Sequence, residues 1–190
     1  VDESELRRGR ETANAAFGNP ASVLVGDFLY SRAFQMMVSI NRPRVLEVLA
    51  DATNIIAEGE VLQLMNMHDP DLTVDDYLRV IRFKTAKLFE ASARLGAVLS
   101  GADESLEEDC ATYGRALGTA FQLVDDLLDY EGNSDELGKN VGDDLREGKP
   151  TLPLLVAMQR AAPAERQLIR GAIEHGEVER LPEIISIIKR

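Results

Sequence analysis

Tryptophan is absent, cysteine occurs once, and basic residues are far outnumbered by acidic ones. The single cysteine, Cys110, excludes an intramolecular disulfide framework and any multi-cysteine metal site. With 21 Lys plus Arg against 33 Asp plus Glu, the formal charge is −12, which argues against a protein that grips nucleic-acid phosphates as its main business. No apolar run reaches the ~18 residues that a membrane-spanning helix requires. The start, Val1-Asp2-Glu3-Ser4, is charged from its second residue and does not read as a signal peptide. It also lacks an initiator Met, so we expect a portion of a longer chain. What is present is apolar matter: 45% of 190 residues, enough for one domain with a sizeable core.

Helical periodicity dominates, and no alternating β-branched stretch persists. A first helix is expected after Asn19-Pro20, through Val23, Phe28, Phe34 and Met37; being apolar nearly all round, it should be buried on several sides. Asn41-Arg42-Pro43 stops it. A second helix should cover about 45–67 and a third about 73–100, the latter opened by the capping box Thr73-Val74-Asp75-Asp76. A fourth should run from Ser105 to about Tyr130. Residues 132–150 are glycine-rich and charged, the texture of a working loop. Two helices near 164–174 and 179–188 finish a chain in which we find no internal repeat.

Polar residues that interrupt apolar stripes mark the candidate site, because burying them unpaired is costly. The third helix carries the stripe Tyr77, Ile81, Lys84, Leu88, Ala91, Leu95 and Leu99, broken by Lys84 with Thr85 beside it. Lys84 reads either as a lysine snorkelling at the core edge or as an ammonium aimed at an anion. On the fourth helix, Leu117, Phe121, Val124 and Leu128 fall within about 60° and define a core stripe, while Asp125, Asp129, Gln122 and Asp126 follow across roughly the next 100°. Gly114 and Gly118 flank the same arc and should leave room for something bulky. Three crowded carboxylates either form an acidic solvent face or hold a hard divalent ion such as Mg²⁺, which can also hold a phosphate. Lys139 and Lys149 bracket Asp143-Asp144 in the glycine-rich loop, and Arg7-Arg8 adds cations near the start. Metal on one side, cations on the other and apolar helices between them suit a diphosphate head on a hydrocarbon tail.

Phe121-Gln122-Leu123-Val124-Asp125-Asp126-Leu127-Leu128-Asp129, followed by Gly138-Lys139-Asn140-Val141-Gly142-Asp143-Asp144 and Gly148-Lys149-Pro150-Thr151, resembles the second aspartate-rich region of trans-polyprenyl diphosphate synthases. Phe83-Lys84-Thr85-Ala86-Lys87-Leu88-Phe89 is similar to that family's Lys-Thr segment, and Asp2 leading to Arg7-Arg8-Gly9 to the end of its first aspartate-rich motif. The likeness runs from residue 1 to about 175 and is strongest to the bacterial octaprenyl branch.

The resemblance implies a single all-α prenyltransferase domain over residues 1–190, a helical bundle around a central cavity, incomplete at both ends and assembled as a homodimer. It implies successive additions of isopentenyl diphosphate to an allylic diphosphate, giving a long all-trans product, octaprenyl by the branch, for quinone side chains. By the motifs, Arg7 should touch the allylic diphosphate and Arg8 the isopentenyl diphosphate. Lys84, Thr85 and Gln122 should line the allylic site and serve the catalytic step; Asp125, Asp126, Asp129 and Asp2 should bind Mg²⁺; Lys139 and Lys149 should contact diphosphate. A cytoplasmic location with peripheral membrane contact at most is expected. The family's two further aspartates are missing before Val1, and more helix is expected past Arg190, so this portion alone should turn over substrate poorly. Two rivals stand beside this reading, a non-catalytic partner subunit and a class I terpene cyclase. His68, His175 and Cys110 read as ordinary structural residues.

Overall fold

The computed structural model describes residues 6–7, 9–131 and 141–190. A two-residue antiparallel ladder, β1 (Leu6–Arg7) with β2 (Arg10–Glu11), pairs Arg7 with Arg10 and turns at Gly9, whose φ of +72° suits glycine. All other regular structure among the described residues is helical, in accord with the all-α expectation. The helices are α1 (Ala13–Phe17), α2 (Asn19–Ser39), α3 (Pro43–Asn66), α4 (Val74–Ile81), α5 (Lys87–Ser100), α6 (Glu104–Glu131), α7 (Asp143–Arg146), α8 (Leu152–Arg160), α9 (Pro163–His175) and α10 (Leu181–Ile188).

Local chemistry explains the boundaries. Pro sits in the first turn of α2, α3, α8, α9 and α10, where its missing N–H costs nothing. Thr73 caps α4 as expected: its Oγ1 accepts from the Asp76 N–H at 3.1 Å and donates to Asp76 Oδ2 at 2.6 Å. Gly101 and Gly176 close α5 and α9 in the left-handed conformation.

The expected third helix is not continuous. Residues Arg82–Ala86 form a π-helical turn between α4 and α5. The inserted residue rotates everything beyond it. Tyr77, Val80 and Ile81 are buried before the turn, Ala86 at its last residue and Glu90, Ala91 and Ala97 beyond it, whereas Leu88 and Leu99 of the sequence-read stripe are exposed.

α6 also departs from expectation. Of its expected core stripe, Leu117, Phe121 and Val124 are exposed and Leu128 is half-buried, while its buried side holds Ala111, Gly114, Gly118, Asp126 and Asp129. The two glycines do not leave room for a ligand. A Cβ on Gly114 would lie 2.5 Å from the Phe89 carbonyl oxygen, and one on Gly118 would lie 2.7 Å from Ala86 Cα. They let α5 and the π-turn approach the α6 backbone, which turns the aspartate face inward. α2 is likewise apolar all round but buries only Met37, leaving Leu24, Phe28 and Met36 exposed.

The largest core lies at the far end, where Tyr130, Leu145, Leu154, Ile169, Ile173 and Ile184 join α6 to α7–α10. A second cluster of Tyr77, Ile81 and Leu155 joins α4 to α8, and a small one of Val48, Ala52 and Ala91 joins α3 to α5. Among the described residues no helix is long and apolar enough to cross a membrane.

Candidate active site

α3, α4, the π-turn, α6 and the 143–151 segment enclose a cavity of about 490 Å³. Arg7, Lys84, Thr85, Gln122, Asp125, Asp126, Asp129 and Lys149 all line it, so residues far apart in sequence and singled out there face one space. Asp2, Arg8 and Lys139 lie outside the described residues.

The π-turn delivers the first two polar groups. Lys84 Nζ donates to Gln63 Oε1 at 2.5 Å and pairs with Glu60 Oε2 at 3.0 Å, both on α3. The close approach of the π-turn to α3 requires Gly59, where a Cβ would lie 2.6 Å from the backbone nitrogen of Lys84. Thr85 Oγ1 donates to Gln122 Oε1 at 2.8 Å, and Gln122 Nε2 donates to Asp126 Oδ1 at 2.7 Å. The other oxygen of Asp126 accepts from the Tyr77 hydroxyl at 2.5 Å. Burial, and then the charge of Asp126, push the Tyr77 phenol far above its ordinary range, so it remains a donor.

Asp129 anchors the loop side. Its Oδ2 accepts from the Asp144 backbone N–H at 3.2 Å, and its carbonyl accepts from the Gly142 N–H at 2.9 Å. Lys149 pairs with Asp144 at 3.8 Å and with Glu147. Next to it, Gly148 adopts φ +71° and packs on the imidazole of His68, whose Nδ1 lies 3.0 Å from the Ile173 carbonyl oxygen. Both contacts of His68 are structural.

The chemistry of the lining is lopsided. Among the described residues, Arg7, Lys84 and Lys149 line the cavity with Asp125, Asp126, Asp129, Asp143, Asp144 and Glu147, and of these carboxylates Asp143 is also paired with Arg146. All the potential metal donors are hard oxygens, the set that Mg²⁺ or Ca²⁺ prefers. The three motif aspartates share the cavity without forming a cage: among the described residues, no three His, Cys, Asp or Glu side chains are arranged to hold a metal ion by themselves. Leu72, Val80, Ile81 and Phe121 add an apolar wall.

Sequence reasoning did not single out Gln63, Asn66 or Tyr77 as site residues. Tyr77 reads as core because its ring is core, and Gln63 and Asn66 carry no motif; only the π-turn brings Lys84 toward α3.

The chain matches the polyprenyl synthetase family over residues 1–188. It is 62% identical to the octaprenyl diphosphate synthase of Escherichia coli across 96% of this chain and 57% of that protein. It is 49% identical to an all-trans-nonaprenyl-diphosphate synthase of Rhodobacter capsulatus, spanning the whole of this chain and 58% of that one. A polyprenyl synthase of Caulobacter crescentus, solved with calcium and isoprenyl diphosphate, superposes with a TM-score of 0.95 at 49% identity, covering all of this chain and 58% of that chain. The chain thus spans a little under three fifths of the length of these relatives. On sequence and fold alike, it belongs to the polyprenyl synthetase family.

Proposed function

We propose that the protein containing this chain is a Mg²⁺-dependent trans-prenyltransferase that extends an allylic diphosphate with isopentenyl diphosphate units. The product proposed is octaprenyl diphosphate, destined for quinone side chains, and the assembly a homodimer. The observation that carries the reading is the company kept in the cavity: among the described residues, the three motif aspartates share one space with Arg7, Lys84 and Lys149 beside an apolar wall, and carboxylates outnumber cations in that lining. An anionic diphosphate is repelled from such a site unless divalent cations enter with it. Mg²⁺ binds through one or two carboxylates, waters and substrate phosphates rather than through a complete protein cage. The lining fits that habit.

In this reading Asp125, Asp126 and Asp129 would hold Mg²⁺, with Asp2 contributing from the first motif. Bound there, the metal would offset charge on the diphosphate and make it a better leaving group. Lys84 and Arg7 lend fixed positive charge to the oxygens that become more negative as the allylic C–O bond breaks. Thr85 and Gln122, bonded to each other, orient the same head group, with Lys149 on the loop side; Lys139 is assigned to the diphosphate by its motif alone. Arg8 is assigned to the isopentenyl diphosphate. The electron pair of the isopentenyl double bond then bonds to the allylic carbocation, the adjacent carbon gives up a proton to the released diphosphate anion, and the new allylic chain is one unit longer. Buried Val80 and Ile81, on the apolar wall, give the hydrocarbon part of the substrate a surface to lie against.

The test is incubation with an allylic diphosphate, labelled isopentenyl diphosphate and Mg²⁺, using residues 1–190 beside a chain of the relatives' length. Metal-dependent lengthening by the longer chain, with little from residues 1–190, is expected. No metal-dependent incorporation by the longer chain would overturn the reading in favour of a non-catalytic partner subunit.

A further inference from the structure

Asp126 is only 4% exposed, and each of its carboxylate oxygens receives a hydrogen bond from a different helix position. Gln122, one turn earlier on α6, donates to Oδ1; Tyr77 of α4 donates to Oδ2 at 2.5 Å. Gln122 is oriented in turn by Thr85 of the π-turn. A continuous path therefore runs Tyr77–Asp126–Gln122–Thr85, joining three elements around the cavity. Its end at Tyr77 is the rigid one. The ring is 4% exposed and packs with Ile81 and Leu155 at the contact between α4 and α8. A phenol so packed has little freedom in its two torsions, so its hydroxyl is a fixed point from which the carboxylate takes its orientation.

Phenylalanine would fill that core equally well. What the hydroxyl adds is a charge-assisted hydrogen bond to a residue of the aspartate-rich motif, facing the cavity. Groups that orient a ligand's first contacts are worth about 10–100-fold in metal affinity.

We propose that Tyr77 is a positioning residue for metal-dependent diphosphate binding, acting through Asp126 and, beyond it, through Gln122 and Thr85. This rests on the prenyltransferase reading and deepens it, assigning a role to a residue outside the motifs.

The test is calorimetric titration of inorganic pyrophosphate, at fixed Mg²⁺ and without Mg²⁺, into the full-length protein and its Tyr77→Phe variant, with thermal unfolding and circular dichroism run alongside. The variant is expected to bind Mg²⁺–pyrophosphate about tenfold or more weakly. In an Asp126→Asn background, adding Tyr77→Phe should change affinity less than about twofold, because two residues acting through one contact are not additive. A Tyr77→Phe variant that unfolds at a lower temperature but binds Mg²⁺–pyrophosphate like the wild type overturns the proposal and leaves the prenyltransferase reading standing. An equal loss in both backgrounds also overturns it, since Tyr77 would not then act through Asp126. Absence of Mg²⁺-dependent pyrophosphate binding by the wild type overturns the underlying reading and this proposal with it.

Discussion

Lys84 is held before any ligand arrives, with its ammonium between Gln63 and Glu60. A cation pre-positioned by its neighbours loses less freedom on meeting an anion. Lys84→Met keeps the stem and removes the charge, so affinity for Mg²⁺–pyrophosphate should fall about tenfold or more, the scale of a hydrogen bond to a charged group, while the unfolding temperature changes little. Titration calorimetry with a thermal melt reads both. Glu107 is the opposite case, a purely structural carboxylate. Hydrogen bonds from Arg44 at 2.5 Å and Arg94 at 2.9 Å hold it below its ordinary value of 4.5. Its contribution to stability is therefore complete above pH 4.5 and is lost as pH falls through the lower folded value. Glu107→Gln should lower the melting temperature at pH 7 yet flatten its decline below pH 4.5, as measured by melts across pH 3–7. At this scale Lys84 was legible as a cavity residue because it breaks an apolar stripe, and Gln122 with the three motif aspartates because polar groups crowd one arc of an otherwise apolar helix. Tyr77 was not, since an aromatic in an apolar stripe carries no sign of what its hydroxyl touches.

Helices were read to within a few residues wherever a cap, a proline or a glycine marked the end, as at Thr73, Pro43 and Gly101. The π-turn at Arg82–Ala86 escaped because the stripe on either side has ordinary helical spacing, and one inserted residue changes only the phase between the two halves. That phase depends on a contact invisible in sequence, the approach of Gly59 on α3 to the backbone of Lys84. The inward face of α6 was misread for the same reason. Gly114 and Gly118 act by what they admit, and the backbone they admit belongs to another element. Gly59→Ala should therefore do more than a helix-propensity scale allows. Its Cβ would fall 2.6 Å from the Lys84 nitrogen and 2.9 Å from Phe83 Cβ, so the π-turn must shift. A loss of about 1–3 kcal/mol is expected from overpacking, together with weaker Mg²⁺–pyrophosphate binding as Lys84 and Thr85 move. Unchanged binding with lowered stability would separate the turn's geometry from the site's function.

Across the whole molecule, burial is uneven. Around α8–α10 the core is continuous and includes Leu154, Ile169, Ile173 and Ile184, each fully buried, whereas α2 contributes Met37 alone. Free energy of local opening follows the apolar contacts an element must break. In residues 1–190 studied alone, hydrogen exchange should therefore be fastest along α2 and slowest in α6, α8 and α9. The outward apolar faces add a second consequence. Leu24, Phe28 and Leu29 on α2 and Leu117, Phe121 and Val124 on α6 are exposed without forming any core among the described residues. Apolar surface so extensive is rarely left in water and promotes association. The net charge of −12 opposes that association at low salt, and salt screens the repulsion. Sedimentation of residues 1–190 should thus show self-association that strengthens with ionic strength, accompanied by binding of an apolar dye. A monomer at all salt concentrations, with α2 exchanging as slowly as α8, would show that α2 is held by something other than apolar burial.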